Sequence, residues 1–226
     1  MPAKNVLKQL AEGCYYHVYN RGVDKNIIFN DDRDYQVFLY YLKRNLFPAD
    51  DPDYEEVSNK VRPCQRTDLE KRIDLLCFCL MPNHFHFIVY LKEKSSLPSL
   101  MRRVCNGYVS YFNKRWERVG PLFQSRYKAV LVDDEDQLLH LSRYIHLNPT
   151  LRGKTPAQSK LGIYPYSSYS AYLGSINIRW LKPDTVLDYF RSGRNIGAKD
   201  MLSYQSFVEG FDEEITKAYI SGLTLE

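Results

Sequence analysis

The stretch MPNHFHFIVY, residues 81–90, constrains the fold more than any other part of the chain. It is apolar and rich in aromatic and β-branched residues, so it reads as a buried strand. The run before it, RIDLLCFCL (72–80), has the same character, and the MPN between them reads as the turn of a β-hairpin. Yet the second strand carries two histidines. Side chains alternate faces along a strand, so His84 and His86 point one way with Ile88 and Tyr90, while Phe85, Phe87 and Val89 point the other. Two imidazoles about 7 Å apart on one face can converge on a divalent ion, histidine being the commonest metal ligand near neutral pH. Two unrelated histidines on a half-exposed strand would give the same pattern. A metal site would need a third donor from elsewhere, with positions left for water or substrate.

The rest of the chain supplies partners for that hairpin. CYYHVYN (14–20) is aromatic and β-branched and predicts a first strand, followed by a turn at RGVDKN. NDDRDYQVFLYYLKRNL has aspartate caps and apolar residues at helical spacing. Residues 48–60 are acidic and Pro-rich and read as a solvated loop insertion, whose acidic segment 50–56 should face away from any anionic partner. A long helix is expected from about Leu97 to Arg118, then a loop and a strand within VGPLFQSRYKAVLV. DDEDQLLHLSRYIHLN opens with four acidic residues, suited to a helix dipole, and closes at Pro149. Beyond Thr150 the chain reads as a Ser/Tyr/Pro-rich connector and two short helices, DTVLDYFRS and AKDMLSYQSFVEGF. The order β-α-β-β-α-β-α with a helical tail predicts an α+β sheet with helices on one face. It divides the chain into a domain over 1–150 and an extension over 151–226.

Composition bounds the function classes. At 44% hydrophobic and 14% aromatic, 226 residues can bury a full core, and the formal charge of +4 tilts toward anionic partners. The five cysteines are odd in number and contain no CxxC pair, which argues against a disulfide framework or zinc ribbon and for a reducing cytosol. No signal-peptide core and no apolar run of membrane-spanning length occurs. A GxxxxGK[ST] loop is absent from these residues, so no fused helicase is expected.

A third donor is suggested by HLSRYIHLNP (140–149). On a helix His140, Tyr144 and Asn148 form one row, beside an apolar stripe of Leu138, Leu141 and Ile145, as at the edge of a cleft. Most of the nineteen tyrosines must be packing residues, so spacing alone does not single out Tyr144.

Four motifs in order, YYHVYNRG, MPNHFHFIV, RYIHLNPTLRG and YPYSSYSAYLG, resemble the single-tyrosine HUH transposases, the insertion-sequence and REP-associated tyrosine transposases. The likeness spans about residues 13–174, with a weaker echo in YQSFVEG (204–210). It implies a ferredoxin-like (RRM-like) antiparallel sheet with helices packed on it, plus a mostly helical C-terminal tail. It implies that His84 and His86 bind Mg²⁺ or Mn²⁺ and that Tyr144 is the nucleophile. The family's third ligand, often Gln, falls at Asn148, one methylene shorter and held before Pro149, which disfavours helical geometry there. His140 is a spare candidate. The implied partner is single-stranded DNA with a hairpin, acted on by a monomer or homodimer in the cytoplasm, at the nucleoid when bound.

The residue types suit that chemistry. A tyrosine hydroxyl can attack phosphorus and hold the 5′ end as a phosphotyrosine, conserving bond energy for rejoining without ATP. From Met101 to Lys128 there are seven basic residues, Arg102, Arg103, Lys114, Arg115, Arg118, Arg126 and Lys128, against one acidic residue, Glu117. Aromatics interleave them, the look of a surface that tracks phosphates and stacks unpaired bases, although a solvated helix face with core aromatics looks similar. Arg21 and Asn20 in YNRG are further DNA-binding candidates; His17 and Asn20 read equally well as structural hydrogen-bonders. Arg179, Lys182, Arg191 and Arg194 could let the tail hold a hairpin foot. The competing readings are a DNA- or RNA-binding protein that has lost the chemistry, a rolling-circle replication initiator or relaxase, and a metal hydrolase using the HxH to activate water.

Overall fold

The computed structural model describes residues 9–48, 68–151, 158–191, 203–210 and 219–220. The acidic insertion, apart from Pro48, lies outside the described residues, as do Arg194 and the start of the last predicted helix. The chain runs β1 (Cys14–Arg21), α1 (Asp32–Leu46), the short α2 (Leu69–Arg72), β2 (Ile73–Met81), β3 (His84–Leu91), α3 (Ser96–Arg115), β4 (Lys128–Val132) and α4 (Glu135–Leu151). The strands form one sheet in the order β2-β3-β1-β4, every pairing antiparallel. This is the ferredoxin-like arrangement, and it places the histidine strand β3 in the middle.

The alternation read from β3 decides what covers each face. Phe85 and Phe87 meet Phe38 of α1 at ring-centroid distances of 5.3 and 6.3 Å, and Phe38 meets Tyr108 of α3 at 5.0 Å. Burying such a ring stabilises the fold by about 1.5–3 kcal/mol. The helix α1 starts where Asp31 accepts a hydrogen bond from Asp34 N. The helices α1 and α3 therefore form the layer behind Phe85 and Phe87. The other face, with His84 and His86, is covered by α4. Helices thus occupy both faces rather than one, because β3 is apolar on its Phe side and on its His side needs a helix that brings polar partners.

From Leu138 to Pro149 every residue of α4 is buried. It begins with the Asp134 carboxylate accepting from Gln137 N and continues through Pro149 to Leu151. The sequence expectation of a stop at Pro149 is corrected by two residues. A proline in the last turn removes the hydrogen bond to the Ile145 carbonyl but leaves the preceding turns intact. The row that was expected to border a cleft is enclosed, because the tail covers the outer side of α4.

The tail comprises a 3₁₀ segment (Gln158–Ile163), α5 (Tyr169–Tyr172), α6 (Asp184–Arg191) and α7 (Tyr204–Glu209). The connector also covers the β2 edge of the sheet. On β2 the outward backbone groups bond to Tyr166 O, Ser168 N, Ser168 Oγ, Lys182 N and the hydroxyls of Tyr164 and Tyr172. An exposed edge strand invites pairing with other chains, and the YPYSSYSAY segment removes that liability.

Candidate active site

Cross-strand register builds the site on the α4 side of the sheet. Tyr19 of β1 lies opposite His86, which lies opposite Cys79 of β2; Arg21 lies opposite His84, which lies opposite Met81. Lys128 of β4 lies opposite Tyr19. The two imidazoles are 5.0 Å apart by ring centroid and nearly perpendicular, and both are buried. From α4, the Tyr144 ring meets His86 edge-on at 5.8 Å, and Asn148 Oδ1 lies 3.3 Å from His84 Nε2. One helical turn separates Tyr144 from Asn148, so a single helix delivers both.

The tautomers follow from the surrounding bonds. Asn83 donates from Nδ2 to Lys25 O, which turns its Oδ1 toward His84 Nδ1 at 2.6 Å. Nδ1 therefore carries the proton of neutral His84, and Nε2 offers a lone pair. Asn148 directs Nδ2 to Tyr144 O at 3.4 Å and Oδ1 to that lone pair. Two acceptors facing each other at 3.3 Å repel unless a cation or proton lies between them. His86 is fixed from β1: His17 Nε2 sits 2.9 Å from His86 Nδ1, the rings stacked within 15°. That contact engages His86 Nδ1; with His17 as the acceptor, the proton of neutral His86 sits on Nδ1 and the lone pair on Nε2. Metal-binding histidines commonly have the second nitrogen held in this way.

Among the described residues no three His, Cys, Asp or Glu side chains group as a metal site. The set that converges is two imidazoles and one amide oxygen. Such donors fit a divalent cation that tolerates mixed nitrogen and oxygen ligands and keeps positions for phosphate or water.

Above the rings, burial and then the nearby Tyr144 raise the Tyr19 hydroxyl above its ordinary value. Lys128 Nζ lies 5.7 Å from the Tyr19 ring centroid. At the end of β1, Gly22 leaves no room for a side chain: a Cβ there would lie 2.1 Å from Asn26 O. Its N–H donates to Asn83 O, tying the Arg21 end of β1 to the histidine hairpin.

Other expected site residues fall elsewhere. His140 points to the tail, stacked on Tyr219 at 4.0 Å, with Arg143 donating to its Nδ1. Burial, then Arg143, lowers its pKa to about 4. Its lone pair is thus engaged by a guanidinium, and the row of three is broken because α4 crosses the sheet and its N-terminal turns meet α7. Asn20 lies on the Phe face, buried, with Oδ1 accepting from Arg21 N and Nδ2 donating to Ser125 O, so it anchors the loop before β4. Arg115 grips Asp31 and the buried Asp34, which Tyr111 and Trp116 also contact, so it serves the α1–α3 layer. Arg102, Arg103, Lys114 and Arg118 belong to α3 or its end, behind the sheet; Arg118 lies over the Phe112 ring at 5.7 Å. Only Arg21 and Lys128 of the expected cations are placed by strand register on the histidine face; Arg126 is exposed in the loop before β4.

Sequence reasoning left His17 undecided and did not single out Asn83 or His146. The available signal for His17 was its period-two alignment with Tyr19 and Arg21. Its partner depended on strand order, which sequence alone did not supply.

The family described as "Transposase IS200 like" matches residues 11–148, and the chain belongs to that family. The match ends at Asn148, the residue facing His84. Among solved structures, one described as a REP-associated tyrosine transposase bound to a REP hairpin has the same fold. It shows a TM-score of 0.53 at 14% identity, over 80% of this chain and 92% of that one. No curated protein matches the chain.

Proposed function

We propose that this transposase-family chain cuts and rejoins single-stranded DNA beside a hairpin through a phosphotyrosine formed on Tyr144. The observation that carries the reading is that one buried helix sets Tyr144 against His86 and Asn148 against His84. Membership of the family supports the transposase class, and the hairpin in the similar structure supports the substrate.

In this reading His84 Nε2, His86 Nε2 and Asn148 Oδ1 hold Mg²⁺ or Mn²⁺. The bound ion would neutralise charge on the scissile phosphate and orient it. The chain's own residues do the rest. Tyr144 Oη attacks phosphorus; the P–O3′ bond breaks, the 3′ oxygen leaves with a proton, and the 5′ phosphate stays on the tyrosine. A free 3′-OH reverses the step and releases Tyr144. His17 and Asn83 hold the two imidazoles in the tautomers that present Nε2. Arg21 and Lys128 flank the histidine face and would contact the phosphates on either side. Arg126, exposed before β4, extends that contact. The cations of α3 lie behind the sheet and would meet only DNA that wraps around its edge.

Mn²⁺ titration followed by electron paramagnetic resonance tests the metal assignment. Wild type should bind one ion, and His84→Ala and Asn148→Leu should each weaken binding. Binding unchanged in both variants would sink the assignment.

A further inference from the structure

Residues 164–172 and 203–209 carry motifs to which the transposase reading gives no task. Both meet at His146, a fully buried histidine two residues after Tyr144 and two before Asn148. Two positions along a helix are about 200° of rotation. His146 therefore leaves α4 on the side away from the nucleophile and its neighbour Asn148.

The ring is gripped at both nitrogens. Nδ1 is 2.7 Å from the Tyr204 hydroxyl, and Nε2 is 2.8 Å from Ser168 Oγ and 3.3 Å from Cys77 Sγ. The direction of each bond can be worked out from its end. Ser142 donates its one hydroxyl proton to Leu139 O at 2.7 Å, so it accepts from Tyr204, 3.0 Å away. Tyr204, having donated to Ser142, accepts from His146 Nδ1–H. Ser168 Oγ accepts from Phe78 N at 2.9 Å and directs its one proton to Nε2 at 2.8 Å rather than to Phe78 O, the longer contact at 3.2 Å. One neutral tautomer satisfies a directed chain that starts on β2, passes through the connector, crosses α4, reaches α7 and returns to α4.

Apolar packing alone tolerates alternative seatings of a helix; a fully satisfied buried polar network does not. A slip of one residue moves a side chain by about 1.5 Å along the axis and 100° around it. Reacting groups misplaced by about 1 Å can lose 10²-fold in rate. We propose that the tail is a buttress that fixes the seating of the nucleophile helix, with His146, Ser168 and Tyr204 as positioning residues for Tyr144 and Asn148. The proposal rests on the transposase reading only for what those two residues do.

The test compares the full chain with Tyr204→Phe and Ser168→Ala, each of which deletes one hydroxyl. Phenylalanine keeps the ring contacts of Tyr204 with Tyr172 and Phe190. Amide hydrogen exchange over residues 138–149 should quicken about tenfold, the loss of one buried hydrogen bond, while exchange in β1 and β3 stays unchanged. Mn²⁺ affinity should fall several-fold, and adduct formation on a hairpin-bearing single strand should slow about tenfold or more, with hairpin affinity within about twofold. A lower melting temperature with exchange at 138–149, Mn²⁺ affinity and adduct rate all unchanged would overturn the buttress and leave only a stabilising role. A wild type that forms no adduct at all would overturn the transposase reading instead, and the exchange and Mn²⁺ arms would still decide the buttress.

Discussion

Replacing His17 with phenylalanine isolates one contact in the site. The ring it replaces is stacked on His86 at 5.1 Å and lies 4.7 Å from Tyr19, so an apolar ring of similar size keeps the packing. What disappears is the 2.9 Å bond to His86 Nδ1. Both rings are wholly buried, so no water replaces the lost acceptor. Leaving a buried donor unsatisfied costs about 1–3 kcal/mol. His86 can avoid that penalty by moving its proton to Nε2, but that occupies the nitrogen proposed to hold the metal. Either route weakens metal binding, by about 10–100-fold as for other residues that orient a metal ligand, or roughly 1.4–2.7 kcal/mol. His17→Gln, whose amide oxygen can accept from Nδ1, should recover part of the loss. The assay is Mn²⁺ titration of the DNA-free protein by electron paramagnetic resonance, with adduct rate measured alongside. Mn²⁺ affinity in His17→Phe within twofold of wild type would refute the reasoning, and His17 would then be a core residue.

Lys128→Ala should weaken binding to single strands regardless of sequence and lower the slope of log K against log salt by about 0.7; an unchanged slope removes Lys128 from the phosphate path. Arg115→Gln should lower the urea midpoint, because the buried Asp34 loses its cationic partner, while hairpin affinity stays within about twofold; a selective loss of hairpin affinity would return Arg115 to the DNA surface. Burial holds His146 neutral down to about pH 3 in the fold, whereas an unfolded histidine protonates near pH 6.5. Its contribution is therefore complete above about pH 6.5 and is lost as pH falls, amounting to about 2 kcal/mol between pH 8 and pH 5. Nitrogen chemical shifts should report a neutral His146 at pH 5, and a titration midpoint near 6.5 would contradict its placement.

The parts of the site legible in the sequence are those that local periodicity determines. Period-two alternation put His84 and His86 on one face, and period 3.6 put Tyr144 and Asn148 in one row. His140 belonged to the same row by spacing and yet faces Tyr219, because which turn of a helix meets a sheet and which meets a tail depends on crossing geometry. Asn20 and Arg115 show a second limit. A polar or basic residue in a promising stretch reads as a surface contact until its partner is known, and Ser125 and Asp34 are 105 and 81 positions away. The basic run 102–128 was a single patch in sequence, but the sheet separates α3 from the β4 end. Burial of His146 in a polar network joining three motifs was not legible either, since each motif contributes only one or two of its groups.

The central claim is most directly tested by incubating wild type and Tyr144→Phe with end-labelled single-stranded hairpin DNA and Mn²⁺, resolved on a denaturing gel. The account predicts a metal-dependent protein–DNA adduct in the wild type and none in the variant, with hairpin binding intact in both. An adduct that survives in Tyr144→Phe would place the nucleophile on another tyrosine and contradict the site built around α4 and β3.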